Sequence, residues 1–527
     1  MKKCMCNIGL YIIFIIVAII TISAKQRLFV DEVYSYGLAN SDSGMAMQIE
    51  DGKVYEPAAS AYEEYLTANK QFDYKTVWVN QKNDVHPPLY YAILHTICSF
   101  FPKRYSKWFA GSINILFGLA TIYIFGKIVC LLISPRNKNL LGCSLVLTPG
   151  FINNITFFRM YVMAMFWIIT LTWWITKQIM SEKKETSFEI VLAILTICGG
   201  LTHYYCIVYA VFLYLGYFVY LVTNREKKKM VRLIITGVAS ACIALAIFPS
   251  MLIHMFFGGY RGKEAQANLT KISDFFPRIR IFGNILSVQM FGRILIVLII
   301  FILITGISIV IKKRGKVSKK YLNINNLEWC YGIILVACLS YFVFVSISAS
   351  FQTDRYIYPI YAVILIVIDG LVYYGILYWI QNEKITNRVF TIGVIILISL
   401  ALYKPQYSNL YLSDKEMMYN LKTKNDMNCI CIYEGIWELP SLWDEIQNYK
   451  SVTFYQCLDG NNVEEIMRGY PFLDSEKIIV IMAENSGWDR KKIVTQSFSD
   501  NKNLVNQGEI AHGLYNTTWI FENSSYQ

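Results

Sequence analysis

The stretch "IGLYIIFIIVAIITISAKQRLFVDEVYSYGLAN", Ile8 to Asn40, decides how the chain is read. Its first half is an apolar run of the length that crosses a hydrocarbon core of ~30 Å as a helix. Its second half sets two adjacent carboxylates, Asp31 and Glu32, a few residues beyond that run. As a cleaved leader the run would leave both acids at a frayed terminus. As a retained first span it puts them at a membrane face, and that reading is taken here.

Comparable runs recur to about Tyr403, and the composition agrees with them. Of 527 residues 55% are hydrophobic and 16% charged, and the mean hydropathy is +0.39, too apolar for an ordinary soluble domain. Inside lipid the backbone must satisfy its own polar groups, and runs of about 20 residues do so as helices rather than barrel strands. The expected spans cover 8–24, 108–133, 140–157, 159–178, 188–204, 205–222, 231–251, 292–311, 327–347, 357–380 and 388–404. The run "LYYAILHTICSFF" (89–101) is short for a crossing and reads as a half-helix or interfacial segment. The fold class is therefore a polytopic α-helical membrane protein of about 11–13 spans.

Short hydrophilic loops report orientation, because Lys and Arg concentrate on the cytoplasmic side. "SEKKE" (181–185), "NREKKK" (224–229), "KKRGKVSKK" (312–320) and "QNEKITNR" (381–388) belong inside by that rule. Threading the spans between them puts the N-terminus in the cytoplasm and the C-terminal tail outside the plasma membrane. Three outer loops result. The first, within 25–88, holds the acidic pair and the aromatic, amphipathic "YEEYLTANKQFDYKTVWV", which fits short helices on the membrane surface. The second, about 251–292, carries Arg261, Lys263, Lys271, Arg278 and Arg280, a basic excess that suits an anionic lipid substrate or simply a long loop exempt from the rule. The third is "SASFQTDRYIYP", with Arg355 at the lip of a span.

The expected division is a membrane domain over 1–404 and a soluble extracytoplasmic domain over 413–527. From Ser413 the chain has 17 acids against 10 Lys and Arg, so the tail carries −7 of a total of +12 and the remainder +19. In the tail "CICIY", "SVTFY", "KIIVIM" and "TWIFE" alternate with helix-like "LPSLWDEIQNY" and "NVEEIMRGY", the pattern of a small α/β domain. No reader motif accompanies the basic residues, so nucleic acid is not an expected partner. The 13 cysteines are scattered without metal-ligand spacing.

The threading gathers polar residues of distant sequence position at the outer face. They are Asp31 and Glu32, "DVHPPLYY" (Asp84 to Tyr91), Arg159 in "FFRMY", His203 and Tyr204 in "LTHYY", the 251–292 loop, and Arg355 in "DRYIYP". Ionisable residues at a bilayer edge are costly unless they line a wet cavity, which makes the set a functional-site hypothesis. Glycosyl transfer from a polyprenyl phosphate fits it. An acceptor hydroxyl must lose a proton to a carboxylate while arginines hold the departing phosphate. Phosphate already leaves well, so one carboxylate suffices where glycoside hydrolysis usually needs two. The prolines of "HPPL" stiffen the chain and fix where His86 points. Each piece has a bland reading too: His86 can cap a helix, Arg159 can snorkel to headgroups, His203 can be a satisfied bundle histidine, and the acids can be solvated. His95 and His254 are left out of the set.

At "VDEV", "DVHPPLYY", "FFRMY" and "DRYIYP" the chain resembles the membrane glycosyltransferases of the GT-C class, in particular bacterial relatives of the protein O-mannosyltransferases and the lipid A aminoarabinose transferases. The resemblance covers roughly 1–404 and leaves the tail unassigned. It implies inverting transfer from a polyprenyl-phosphate-linked monosaccharide to an envelope glycan, lipid or protein. On this chain it makes Asp31 the candidate base, with Glu32 positioning acceptor or ion, and His86, Arg159 and Arg355 the candidate phosphate site. Asp84, Tyr90, Tyr161, His203, Tyr204, Arg261 and Tyr356 stand as substrate-binding candidates around them. A divalent ion near Glu32 and His86 is compatible with the residue types, without a closed ligand set. The chain departs from the pattern as well. Tyr90 and Tyr91 stand where eukaryotic protein mannosyltransferases tend to carry Gly-Lys, and His86 where aminoarabinose transferases tend to carry lysine, so donor sugar and acceptor do not carry over. Two other readings stay open: a transporter or flippase for a lipid-linked sugar, and an oligosaccharide transferase on the same fold.

Overall fold

The computed structural model describes residues 8–181, 187–256, 260–312, 324–458, 463–483, 488–500, 503–513 and 515–526. The basic runs at 182–185 and 313–320 lie outside them. The chain divides into two compact units. The first comprises 1–23, 85–90 and 110–408, the second 24–84, 91–109 and 409–527.

The first unit is helical, as its apolar runs require. Among the described residues seven helices are long and apolar enough to cross a membrane: Lys107–Leu132, Tyr161–Met180, Tyr204–Thr223, Lys227–Ile247, Asn326–Ser348, Tyr358–Ile380 and Glu383–Leu402. Phe275–Phe291 and Leu295–Ile311 pass the same test as a pair bent by 94°. Ile8–Ala24, Leu89–Phe100 and Phe188–Thr202 are apolar but shorter. Small residues let the helices approach closely, as van der Waals packing in lipid demands. A Cβ on Gly118 would stand 2.5 Å from the Phe14 ring, so the first helix lies directly on Lys107–Leu132 there.

Two expected segments come out differently. The span drawn over 140–157 is two helices, Lys138–Val146 and Pro149–Thr156. Thr148 caps the second by accepting the Phe151 N–H at 3.3 Å, and Pro149 at its start cannot continue the first. The stretch expected as an outer loop over about 251–292 carries, among its described residues, the helices Ser250–Met255, Tyr260–Thr270 and Phe275–Phe291. Its last helix ends at Gly292, φ +52°, followed by Arg293 at φ +71°, and this left-handed pair produces the sharp turn into Leu295–Lys312.

The second unit is built on a six-stranded sheet, β1 (Val54–Tyr55), β2 (Asn428–Tyr433), β3 (Ser451–Gln456), β4 (Lys477–Ala483), β5 (Leu504–His512) and β6 (Asn516–Asn523). The strand order is β1-β3-β2-β4-β6-β5, with β2 parallel to both β3 and β4 and the outer pairings antiparallel. The buried runs of β2 and β4, covered on both faces, are what parallel strands require. β1 comes from the first outer loop, pairing Val54 with Thr453 and Tyr55 with Val452. The loop and the tail thus share one unit, whereas the sequence division had grouped the loop with the spans. Tyr62 adds to the union by donating its hydroxyl to the Leu439 carbonyl at 2.8 Å.

Candidate functional site

In the first unit, breaks between helices place side chains of different spans together. Arg159 lies in the short link between Pro149–Thr156 and Tyr161–Met180 and is buried, 3% exposed. Its Nη2 meets His86 Nε2 at 3.3 Å. A guanidinium only donates, so Nε2 accepts, and a neutral imidazole then keeps its proton on Nδ1. His86 stands just before the buried Pro87 and Pro88, which disfavour helix before them and lead into Leu89–Phe100.

His203 occupies the break between Phe188–Thr202 and Tyr204–Thr223. Its Nδ1 accepts the Tyr205 N–H at 3.1 Å and caps the second helix, so a proton on a neutral ring sits on Nε2. The His203 ring is 6.4 Å from the His86 ring and 5.3 Å from that of Tyr161. From His203 the aromatic contacts continue to Tyr205 at 5.0 Å and from there to Tyr356 at 6.0 Å. The Arg355 guanidinium lies 5.3 Å from the Tyr356 ring centre and 5.7 Å from that of Phe351, and Arg261 lies 4.9 Å from the same Phe351 ring. Arg261 also pairs with Glu264 at 2.7 Å.

The loop bearing Arg355 is anchored at its neighbour. Asp354 Oδ2 accepts from Gln289 Nε2 at 2.6 Å and from Ser408 Oγ at 3.2 Å, and Tyr361 donates to Gln289 Oε1 at 2.9 Å. Arg278 is buried and donates to the carbonyls of Ser346 and Ala349, which end the Ile324–Ser348 helix. These bonds fix the loop that carries Arg355 and the end of the Ile324–Ser348 helix.

The structure thus brings together His86, Arg159, Tyr161, His203, Tyr356, Arg355 and Arg261. Tyr90 is fully buried in the same unit. Tyr204 is turned to His254, its hydroxyl 2.6 Å from His254 Nδ1. Tyr205 and Phe351 were not singled out from the sequence, Arg278 was read only as part of the basic excess of its loop, and His254 was left out of the set. The repeated tyrosine of "LTHYY" and the aromatic between Ser350 and Arg355 were the only signals for the first two.

Asp31, Glu32 and Asp84 belong to the second unit. Asp31 and Glu32 open the Val30–Asn40 helix, and Asp84 follows Tyr74–Asn83. Asp31 is partly exposed, whereas Glu32 is 0% exposed. Glu32 Oε2 accepts the Phe29 N–H at 2.6 Å, as in a capping box, and pairs with Lys25 at 2.9 Å. Lys25 also donates to the Asn409 carbonyl at 2.7 Å. Burial holds the Lys25 ammonium below its ordinary range, against the opposing pull of Glu32 and Asp444. Asp444 accepts the Leu28 N–H at 2.5 Å, and Arg27 pairs with Asp414 at 3.2 Å. Burial pushes the Asp444 carboxyl up to about 6. Among the described residues no three His, Cys, Asp or Glu side chains gather as a metal-holding group. The Glu32 carboxylate is already taken up by Lys25 and the helix start, which gives an ion there no support.

No protein-family model matches the sequence, and no curated protein does. Solved structures do. ArnT from Cupriavidus metallidurans, in its crystal structure bound to undecaprenyl phosphate, is similar with a TM-score of 0.50 at 12% identity, over 97% of each chain. The apo ArnT structure from the same organism has a TM-score of 0.45 at 11% identity over 98% of each chain. The archaeal oligosaccharyltransferase AglB from Archaeoglobus fulgidus has one of 0.43 at 10% identity, over 89% of this chain and 68% of its own. The first likeness shows the fold: a multi-pass helical membrane protein of GT-C architecture with a small C-terminal sheet domain.

Proposed function

We propose that the protein is a glycosyltransferase that moves a monosaccharide from a polyprenyl-phosphate-linked donor to an envelope acceptor at the outer membrane face, with inversion at the anomeric carbon. The observation that carries this reading is the cluster of Arg159, His86 and His203 in the membrane unit, continued by aromatic rings to Arg355 and Arg261. So many nitrogen groups in one apolar helical body suit a lipid phosphate. The fold agrees, since the ArnT of this fold was solved with undecaprenyl phosphate.

In the reaction the acceptor hydroxyl oxygen attacks the anomeric carbon on the side opposite the phosphate. The bond between that carbon and the phosphate oxygen breaks, and its electron pair leaves with the lipid phosphate. Arg159 and Arg355 stabilise the charge that develops there, with His86 aimed by its two prolines and held by Arg159. Asp31 takes the acceptor's proton. Glu32 is a positioning residue: its hold on Phe29 N–H and Lys25 fixes the turn that presents Asp31. The N-terminus is cytoplasmic and the tail external, as the basic runs at 224–229 and 381–388 support.

The test uses full-length protein in vesicles with a panel of labelled polyprenyl-phosphate sugars and a cell-envelope extract. Asp31→Asn is expected to lower transfer by about 10²–10⁴-fold with unchanged melting. Transfer that survives the substitution removes Asp31 from the chemistry. Lipid translocation without transfer by the native protein overturns the enzyme reading in favour of a transporter.

A further inference from the structure

One face of the second unit turns aromatic side chains outward. Phe100 is 67% exposed and Phe72 44%, and Tyr74, Phe101 and Trp108 are exposed beside them in the chain. The turn at 71–74 is fastened to the Leu89–Phe100 helix. Phe72 N–H donates to Ser99 Oγ at 2.9 Å, Gln71 Nε2 to the Ser99 carbonyl at 2.7 Å, and Asp73 N–H to His95 Nε2 at 2.9 Å. The Tyr74 hydroxyl lies 3.0 Å from that of Thr96, the Phe72 ring meets Phe100 edge-on at 5.4 Å, and Phe101 stacks on Phe109 at 5.2 Å.

The backbone adds a second observation. Phe72 adopts φ +56° and Lys103 φ +57°, a region that bulky L residues rarely enter. Such a residue persists where its surroundings fix it. Here the hydrogen bonds to Ser99 and His95 fix it, and the result is a phenylalanine held outward. Beside these rings in the chain, Lys75, Lys103 and Arg104 are exposed. Asp73 among them is turned back to cap its own helix, accepting from Thr76 Oγ1 at 2.7 Å. Trp108 is the second residue of Lys107–Leu132, a helix apolar enough to cross a membrane, so the patch is a few residues of chain from a bilayer.

Rings with one polar side and lysines or arginines beside them are the composition of a headgroup-level membrane contact. We propose that this face binds anionic phospholipid, with Phe72, Phe100, Phe101 and Trp108 at the boundary of headgroups and acyl chains and Lys75, Lys103 and Arg104 on the phosphodiesters. The proposal stands independently of the glycosyltransferase reading.

The full chain is placed in vesicles of mixed phosphatidylglycerol and phosphatidylcholine with the photoreactive residue p-benzoylphenylalanine in place of Phe101. Parallel proteins carry it at Leu116, exposed on the Lys107–Leu132 helix, or at Tyr419, exposed on the tail. Mass spectrometry of the adducts should find phospholipid on the 101 and 116 probes and none on the 419 probe. The phosphatidylglycerol share at 101 should exceed its share of the bilayer by about threefold or more, as basic residues near a membrane surface imply. Lys103→Glu with Arg104→Glu should return that share to the bilayer value. Lipid adducts at 116 with none at 101, adducts at 101 without headgroup preference, or adducts only to a second copy of the chain or another protein would each overturn the proposal.

Discussion

The two units each hold a cluster of ionisable residues, and the clusters differ in kind. In the helical unit they meet through nitrogen atoms and rings: Arg159 on His86, His86 near His203, and Arg355 on Tyr356 and Phe351. In the second unit buried charge meets its opposite or a backbone end, as Glu32 does with Lys25 and Phe29 and Asp444 with the Leu28 N–H. A buried acid paired with a base of its own unit helps to hold that fold, whereas basic and aromatic side chains converging at helix breaks have the composition that suits an anionic ligand. The contrast divides the candidate residues into structural and chemical ones.

The largest effect should come from breaking the compensated pair. Glu32→Ala leaves the buried Lys25 ammonium without its carboxylate and should cost about 3–5 kcal/mol of stability, seen as a marked fall in the melting temperature of the solubilised full chain. Replacing both partners, Lys25→Met with Glu32→Leu, should recover most of that loss. If Glu32→Ala instead melts like the native protein and loses transfer, Glu32 is chemical and the contrast between the units fails.

Arg159→Ala tests the other side. Transfer should fall by about 10²-fold at unchanged melting temperature, and Arg159→Lys should restore only part of it, because an ammonium cannot reproduce the planar fork. Native-like transfer by Arg159→Ala would make the residue a helix-link anchor and nothing more.

The same contrast marks what the sequence made legible. Spans announce themselves by composition over about 20 residues, and His86, Arg159 and His203 stood out because the threading put them at a bilayer edge, where ionisable residues are costly unless they line a wet cavity. The compensating contacts left no local trace. β1 is two residues long and pairs with a strand some 400 positions away, and Asp444 reads as one acid among the 17 of the tail. Glu32 was expected to position acceptor or ion, and nothing near it in the chain told that its carboxylate would turn inward to Lys25. β5 escaped because its mostly exposed, irregular register carries no clean alternation. Phe351, in a loop, gave no sign that two guanidinium groups would share its ring.

A finer division within the helical unit concerns donor and acceptor. Arg355→Ala should raise the KM for the polyprenyl-phosphate donor about tenfold and leave that for the acceptor unchanged, the difference expected when a charge-assisted contact to phosphate is lost. Phe351→Ala removes only the ring that aligns Arg355 and Arg261, so its effect on donor KM should be smaller, roughly two- to fivefold. Equal changes for donor and acceptor would detach Arg355 from the phosphate.

The smallest effect sharpens the contrast from the compensated side, through pH. Asp444 is partly buried in the second unit, and burial pushes its carboxyl up to about 6 while the Leu28 N–H, Arg27 and Lys25 pull it back. An unfolded aspartate titrates near 4, so between about pH 4 and 6 the folded chain keeps a proton that the unfolded chain has released. Stability from this group is therefore complete below about pH 4 and declines as pH rises through 6. Asp444→Asn retains an oxygen for the Leu28 N–H and removes the titration. Measured as variant minus native, stability should be near zero at pH 4 and rise to about 1–2 kcal/mol above pH 6. Glu445, whose carboxyl burial also raises, should leave a residual slope of the same sign in both proteins. A difference that stays flat across this range would mean that Asp444 titrates as a solvated acid, and the link from tail to first loop would then hold through β1 and Tyr62 rather than through compensated charge.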